Sequence, residues 1–270
     1  MFFEVNSNHY WVEKVGEGPP LVMLHGFTGT THTWGELTKK LANKFQIIKI
    51  DLPGHGKSTT PNIHSMEDCC YDLAQIFNQL QLSTVHLLGY SMGGRTALSF
   101  AFLYPKRVRT LVLESATPGI ADSQEKKARV QKDEKQAKFI LTNSLKAFID
   151  TWEEIPLFIS QKSLPLSMKE RIRKERLSQT SHGLAQSLQT MGTGVMPSWW
   201  EQLGELTCPV AIIVGEKDQK FVQIGIEMEK RIPNSYLYVV PNSGHAIHVE
   251  QSEIFGTIVD EFYFKKEDIL

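Results

Sequence analysis

Short runs of apolar residues, each bounded by Gly, Pro or Asp, alternate along this chain with longer stretches of helical periodicity. The runs are rich in Val, Ile and Leu and are short enough for strands that are buried on both faces of a sheet. This alternation predicts an α/β protein, in which a mostly parallel sheet is flanked by helices. The predicted strands are Pro20–Leu24, Phe45–Asp51, Val85–Gly89, Val108–Glu114, Val210–Gly215 and Ser235–Val240.

The stretches between these runs repeat apolar residues at three- and four-residue spacing, which places one apolar face of a helix against the sheet. The predicted helices of the sheet layers are Met66–Leu80, Met92–Tyr104, Phe221–Ile232 and Ile254–Phe264. Between Ile120 and Pro197 no strand is recognisable, and the predicted helices are Gln124–Asn143, Leu145–Trp152 and Ser167–Thr180. We therefore predict a core of residues 1–119 and 198–270 and an inserted helical cap of residues 120–197.

Charge and hydropathy narrow the range of partners. The formal net charge is -1, which gives no attraction to nucleic acid or to an anionic membrane. No apolar run has the length of a membrane span, and the first residues lack the basic flank and apolar segment of a signal peptide. The three cysteines, Cys69, Cys70 and Cys208, have no metal-ligand spacing and are interpreted as reduced packing residues. We expect a cytoplasmic monomer or weak homo-oligomer without metal or cofactor.

The predicted cap differs in charge from the rest of the chain. It contains 13 Lys and Arg and 9 Asp and Glu, whereas the remainder contains 16 and 21. Most of these basic residues could simply solvate exposed helix faces, or a few could point inward over a binding site. The sequence pattern alone leaves both interpretations open.

The strongest local motif is Gly89-Tyr90-Ser91-Met92-Gly93-Gly94, which follows a predicted strand and precedes a predicted helix. This G-x-S-x-G pattern is typical of a nucleophile elbow, a tight turn that exposes a serine at the end of a strand. Glycines are needed there because side chains would collide with the neighbouring strand and helix. Ser91 is therefore the candidate catalytic serine.

A catalytic serine needs a histidine and an orienting carboxylate further along the chain. Asp218 and Glu216 follow one predicted strand, and His245 follows the next, so all lie at strand carboxyl ends, where open α/β sheets place their sites. We favour Asp218 over Glu216 as the acid. We favour His245 over His248 as the base, because Val249 and Glu250 suggest that His248 lies in or near a helix.

A developing negative charge on a substrate oxygen also needs hydrogen-bond donors. The backbone N–H groups of Phe27, after an early strand, and Met92, after the serine, are the candidates for an oxyanion hole. His25, beside this segment, is interpreted as structural. Asp51 and His55 belong to a run with one Pro and two Gly and are assigned to loop architecture.

Nearly the whole chain, from His25-Gly26 through the elbow to Gly244-His245, resembles the α/β-hydrolase superfamily. Within it the chain resembles the 2-succinyl-6-hydroxy-2,4-cyclohexadiene-1-carboxylate synthases of menaquinone biosynthesis. The segments that carry this narrower resemblance are Gly89–Arg95, Leu113–Ile120, Trp152 with Pro156–Phe158, Arg176–Gln179 and Gly192–Pro197. The resemblance implies a lyase that eliminates pyruvate from a small polycarboxylate, with Ser91, His245 and Asp218 acting as the base.

The resemblance also implies how the polycarboxylate is bound. Arg95, Arg129 and Arg176 are carried over as carboxylate ligands, and Tyr90 and Trp152 as pocket walls. We expect these guanidinium groups to surround a cavity over the serine. Trp199 and Trp200 are interpreted as packing residues. Two other classes of function stay open: a serine hydrolase for a small acidic ester or a carbon–carbon bond, and a non-catalytic ligand receptor.

Overall fold

The computed structural model describes residues 1–267 and contains an eight-stranded sheet. In chain order the strands are β1 (Phe2–Val5), β2 (Asn8–Val15), β3 (Pro20–Leu24), β4 (Gln46–Ile50), β5 (Val85–Tyr90), β6 (Val108–Glu114), β7 (Val210–Gly215) and β8 (Ser235–Val240). Their order across the sheet is β1-β2-β4-β3-β5-β6-β7-β8. Only the β1–β2 and β2–β4 pairs are antiparallel. The predicted α/β fold with a mostly parallel sheet is confirmed.

Helices cover both faces of the sheet. They are α1 (Gly35–Leu41), α2 (Met66–Gln79), α3 (Met92–Leu103), α4 (Ser123–Thr142), α5 (Leu145–Trp152), α6 (Leu166–Leu177), α7 (Ser181–Met191), α8 (Gln219–Glu229), α9 (Ile247–Glu250) and α10 (Ser252–Glu267). Buried side chains of α2, α3 and α8 form one apolar cluster with the sheet, and those of α1 and α10 form another. The parallel strands lie between these two clusters, which explains their continuous apolar runs.

The N-terminal hairpin was not predicted. β1 and β2 pair around Asn6 and Ser7, which both have positive φ angles, 50° and 61°. Two consecutive residues of positive φ form the turn whose twist matches an antiparallel hairpin. The prediction was also one residue too long at each end of β4, where Phe45 and Asp51 lie outside the strand.

Four helices, α4 to α7, lie between β6 and β7. We call them the cap helices. They have an apolar cluster of their own, against which Phe27 and Trp152 pack. The cluster consists of Ala137, Ile140, Phe148, Ile149, Leu184, Ala185 and Leu188. The cap helices therefore rest on the loop after β3. The domain bounds at 119/120 and 197/198 remain a prediction, and residues 268–270 of the predicted core lie outside the described chain.

α7 was not among the predicted helices. It begins after Thr180, whose hydroxyl accepts a hydrogen bond from the N–H of Gly183 and so caps the helix. The cysteines are free and buried, as predicted. In the described part of the chain, no helix combines the length and the apolar character that a membrane crossing requires.

Candidate active site

Ser91 lies in a strained turn between β5 and α3. Its φ and ψ angles are 51° and −104°, and its N–H donates to the carbonyl of Glu114 at 2.8 Å. A Cβ atom on Gly93 would lie 2.1 Å from the carbonyl oxygen of Leu24, so only glycine fits where the start of α3 passes β3. The predicted elbow is therefore the geometry that holds the Ser91 hydroxyl at the strand end.

The three predicted catalytic side chains form one hydrogen-bonded chain. His245 Nε2 lies 2.9 Å from Ser91 Oγ, and His245 Nδ1 lies 2.7 Å from Asp218 Oδ2. His245 is 1% exposed, and its ring is enclosed by the rings of Phe221 at 4.6 Å and Tyr90 at 5.5 Å. Such an enclosure restricts water around the imidazole and holds its orientation.

This arrangement defines a direction for proton movement. With a carboxylate on Nδ1, the imidazole keeps a hydrogen there, so Nε2 is free to accept the hydrogen of the Ser91 hydroxyl. Asp218 stabilises the imidazolium that would result. The site can therefore produce a serine alkoxide at the end of β5, which can act either as a base or as a nucleophile.

The rival residues have other partners. Glu216 accepts a hydrogen bond from the N–H of Asn242 at 3.0 Å. His248 Nδ1 lies 2.8 Å from Glu114 Oε1, and both side chains are buried. Each of these two rivals therefore has a partner outside the chain of Ser91, His245 and Asp218.

The histidines beside the candidate oxyanion loop are structural. His25 Nε2 accepts the N–H of Leu52 at 2.9 Å, and His55 Nε2 accepts the N–H of Thr28 at 3.1 Å. Burial lowers the pKa of His25 to about 4, and burial together with the charge of His25 lowers the pKa of His55 to about 3. Both rings are therefore neutral at physiological pH and hold the loop by accepting backbone hydrogen bonds.

The two predicted oxyanion donors are the backbone N–H groups of Met92 and Phe27. Met92 is the first residue of α3, so its N–H has no acceptor within the helix. Phe27 lies in the loop that follows β3, and a Cβ on the preceding Gly26 would lie 2.6 Å from the ring of Tyr90. The oxyanion hole formed by these two N–H groups remains a prediction.

Of the three predicted arginines, Arg176 lies nearest to the aromatic walls. Its guanidinium group is 3.3 Å from Glu153 Oε1, donates to Gln161 Oε1 at 3.0 Å and lies 4.7 Å from the ring centre of Phe158. Its side chain is 9% exposed, and burial lowers its pKa. A carboxylate that reached this group would bind in a largely dehydrated environment.

Arg95 and Arg129 bind protein acceptors in this structure. Arg95 is buried and donates to the carbonyl of Met191 at 2.6 Å; burial, and next the charge of Arg129, lower its pKa to about 9. Arg129 Nε donates to both carboxylate oxygens of Asp133, at 2.8 and 2.9 Å. These contacts use one nitrogen of each guanidinium group, which has five N–H donors in all.

Trp152 and Tyr90, the predicted pocket walls, both contact other aromatic rings. The Trp152 ring is 5.4 Å from that of Phe27 and 5.6 Å from that of Phe158, and its buried Nε1 has no hydrogen-bond partner among the described residues. The Tyr90 ring is 4.7 Å from that of His248, and burial raises the pKa of Tyr90 well above its usual value. A buried N–H without an acceptor is costly unless a ligand supplies one.

A cavity of about 730 Å³ is lined by Tyr90, the residue before Ser91. Phe27, Tyr90 and Arg176 are the predicted site residues that line it. Its other charged lining residues are Glu36, Lys39, Asp51, Lys57, Arg171, Lys174 and Glu175. Ser91, Arg95, Arg129 and Trp152 do not line this cavity, so the expected cavity over the serine with three arginines around it stays a prediction.

Two residues that the sequence analysis did not single out contact the candidate oxyanion loop. Glu175 accepts the N–H of Thr30 at 2.8 Å, and Gln179 donates to the carbonyl of Gly29 at 3.1 Å. Both belong to the segment between β6 and β7, so the cap segment is hydrogen-bonded to the loop that carries Phe27.

Trp199 and Trp200 are packing residues, as interpreted from the sequence. The indole N–H of Trp199 donates to Ser99 Oγ at 2.9 Å, and that of Trp200 donates to the carbonyl of Gly119 at 3.0 Å.

Comparison with known proteins adds independent information. A family model described as alpha/beta hydrolase fold matches residues 19–252. A putative 2-succinyl-6-hydroxy-2,4-cyclohexadiene-1-carboxylate synthase from Bacillus subtilis is 47% identical to the chain, over 91% of this chain and 92% of that protein. The 2-succinyl-6-hydroxy-2,4-cyclohexadiene-1-carboxylate synthase of Escherichia coli is 30% identical, over 86% and 88%. The structure of MenH from S. aureus aligns with a TM-score of 0.91 at 36% identity, over 96% of this chain and 98% of that chain.

Proposed function

The chain belongs to the alpha/beta hydrolase fold family, and we propose that its catalytic serine removes a proton from a ring carbon instead of attacking an ester. Within that family it belongs with the 2-succinyl-6-hydroxy-2,4-cyclohexadiene-1-carboxylate synthases. The proposed substrate is 2-succinyl-5-enolpyruvyl-6-hydroxy-3-cyclohexene-1-carboxylate. The reaction eliminates pyruvate from it and serves menaquinone biosynthesis.

The reaction balances without water. A ring C–H bond next to the succinyl carbonyl breaks, its electrons move through the ring double bond, and the C–O bond to the enolpyruvyl group breaks. The leaving enolate takes up a proton and becomes pyruvate. The ring is left with two conjugated double bonds, as the product 2-succinyl-6-hydroxy-2,4-cyclohexadiene-1-carboxylate requires.

Each member of the catalytic chain has a defined part. His245 takes the hydroxyl proton of Ser91 across their 2.9 Å contact, and the serine oxygen then takes the ring proton. Asp218, 2.7 Å from His245 Nδ1, keeps the imidazole oriented and stabilises its charged form. The proton held by His245 can later be returned to the leaving group.

The negative charge that develops during proton removal moves onto the succinyl carbonyl oxygen. The N–H groups of Phe27 and Met92 would hold that oxygen, as in acyl-transfer enzymes of the same fold. No acyl-enzyme is needed, which explains how a site with the parts of a hydrolase can catalyse an elimination.

The substrate carboxylates need cations in a place from which water is excluded. Arg176 supplies one, because its guanidinium is buried and lines the cavity. Arg95 and Arg129 can supply others if the carboxylate replaces the carbonyl of Met191 or shares Arg129 with Asp133. Trp152 Nε1, for which the described residues supply no acceptor, is a further donor.

The single observation that carries this proposal is the assembled chain of Ser91, His245 and Asp218 in a protein that is 47% identical to a relative with this printed name. The cytoplasmic location expected from the sequence remains part of the proposal.

The test is to mix the protein with the proposed substrate and to follow pyruvate through lactate dehydrogenase and NADH. Ser91→Ala should abolish pyruvate release. Ser235→Ala, at the start of β8, is the matched control and should leave the rate unchanged. Absence of pyruvate with the wild-type protein would refute the proposal.

A serine hydrolase for small acidic esters is the second candidate, and the serine–histidine contact at 2.9 Å is the observation that favours it. The same preparation should therefore be offered a simple aryl ester. Rapid ester turnover without pyruvate release would select this function over the lyase.

A further inference from the structure

Gln179 joins the cap segment to two loops of the core. It is 6% exposed and lies just after the end of α6. Its side-chain Nε2 donates to the carbonyls of Thr28 and Gly29, at 3.2 and 3.1 Å, and its Oε1 accepts the N–H of Gly56 at 2.9 Å. One buried amide thus satisfies three backbone groups, and two of them belong to the loop that carries Phe27.

Glu175, one helical turn earlier, holds the next part of the same loop. Its Oε1 accepts the N–H of Thr30 at 2.8 Å and the hydroxyl groups of Thr30 and Thr33 at 2.7 and 2.8 Å. Together, Glu175 and Gln179 fix backbone or side-chain groups of the loop from Thr28 to Thr33.

The backbone of this loop needs such support. Thr28 has a φ angle of 69°, which a β-branched residue adopts only when surrounding contacts hold it there. His55 holds the Thr28 N–H from the core side, and Gln179 holds the Thr28 carbonyl from the cap side. Phe27 is the residue before Thr28, so a shift of the Thr28 backbone can be passed on to the Phe27 N–H through the dihedral angles of Phe27.

We propose that Gln179, assisted by Glu175, is a positioning residue for the oxyanion hole. The Phe27 N–H reaches its working orientation only when Gln179 of the cap segment is hydrogen-bonded to the loop, so this contact completes the site. This inference rests on the proposed function, which supplies the reaction that the oxyanion hole serves. The hole itself can also be tested with a reagent that reacts with the serine whatever the substrate is.

Gln186 provides a matched control. It is also a glutamine of the cap helices, and its Nε2 donates to a core carbonyl, that of Thr60, at 2.7 Å. It contacts no residue of the Phe27 loop among its hydrogen-bond partners in the described chain. Gln186→Ala therefore removes one hydrogen bond between cap and core without touching the oxyanion loop.

The experiment compares Gln179→Ala, Gln179→Glu and Gln186→Ala in two assays. The first measures kcat and KM for pyruvate release. The second measures the rate at which a fluorophosphonate phosphonylates Ser91, a reaction in which the serine oxygen bonds to phosphorus, fluoride leaves and His245 takes the proton. Both assays need the oxyanion hole, whereas only the first needs the proposed substrate.

We expect Gln179→Ala to lower kcat by about 10- to 100-fold, somewhat less than complete loss of an oxyanion donor, with KM changed less than about threefold. Phosphonylation should slow by a similar factor. Gln179→Glu has the same shape but no donor for the two carbonyls, so it should not restore either rate. Gln186→Ala should leave both within about twofold of wild type.

Equal effects of the Gln179→Ala and Gln186→Ala substitutions would overturn the inference, and so would full rescue by Gln179→Glu, since packing alone would then explain the residue. A wild-type protein that releases no pyruvate refutes the proposed function instead. The phosphonylation rates would still decide whether Gln179 positions the hole.

Discussion

Replacement of Arg176 by alanine tests whether the cavity binds a carboxylate. Its side chain is 9% exposed, so a carboxylate paired with it would be desolvated. Removing one partner of a buried, hydrogen-bonded charge pair costs about 2–5 kcal/mol. Because Glu153 lies 3.3 Å away and already offsets part of the charge, we expect the lower part of this range.

A loss of about 2–3 kcal/mol of transition-state stabilisation corresponds to a decrease of about 30- to 160-fold in kcat/KM. The assay is pyruvate release over a range of substrate concentrations. Arg176→Lys should give an intermediate decrease, because an ammonium group keeps the charge but loses the two parallel hydrogen bonds.

Arg171→Ala is the matched control. Arg171 lines the same cavity from α6, but its side chain is 56% exposed and its partner is Glu36 at 3.3 Å. Exposed pairs contribute about 0–1 kcal/mol, so kcat/KM should change less than about fivefold. Thermal unfolding checks that Arg176→Ala stays folded, and Glu153 keeps its ion pair with Arg173 in that variant. A kcat/KM for Arg176→Ala equal to that of the Arg171→Ala protein would refute the reasoning.

Three further predictions follow from the same structure. Asp218→Asn should lower kcat by about 10⁴-fold, because an amide favours the wrong imidazole tautomer, whereas Glu216→Gln should leave kcat nearly unchanged; equal losses would contradict the assignment of the acid. Leu184→Ala, at a fully buried position of the cap cluster, should lower the free energy of unfolding by about 2–5 kcal/mol in urea titrations, and no change would show that this cluster is not packed as described. The folded pKa values of His25 and His55, about 4 and about 3, lie below the usual 6.5. The unfolded chain therefore binds more protons as the pH falls from 6.5 to 4.5, and the free energy of unfolding should decrease by up to about 1.4 kcal/mol per pH unit for each histidine; a flat profile would contradict this.

The sequence predicted the parts of the site that depend on chain order. Ser91, Asp218 and His245 each follow a recognisable apolar strand, and the carboxyl ends of parallel strands meet at one edge of the sheet. The expected burial on both faces was wrong for β8, which is the edge strand and exposes Tyr236 and Val239. The N-terminal hairpin escaped prediction because β1 is only four residues long and its turn is Asn6-Ser7 in place of a more recognisable turn containing glycine.

The contacts that join the cap to the core could not be predicted in this way. Gln179 and Thr28 are 151 positions apart, and neither residue has a local pattern that identifies its partner. The pairing of Arg129 with Asp133 had a visible signal, since the two are four residues apart on one helix, and it would have indicated a protein partner for that guanidinium. Arg95 binds the backbone carbonyl of Met191, and a backbone carbonyl cannot be recognised as a partner from the residue types in a sequence.

The most direct test of the central claim uses the proposed substrate with deuterium on the ring carbon next to the succinyl carbonyl. Mass spectrometry of the ring product reports whether that C–H bond breaks. The account predicts a diene product without deuterium, one pyruvate per substrate consumed, and neither of these at an appreciable rate with Ser91→Ala. The account would be contradicted by a ring product that keeps the deuterium and is heavier than the diene by one water molecule. Undiminished turnover by Ser91→Ala would contradict it as well.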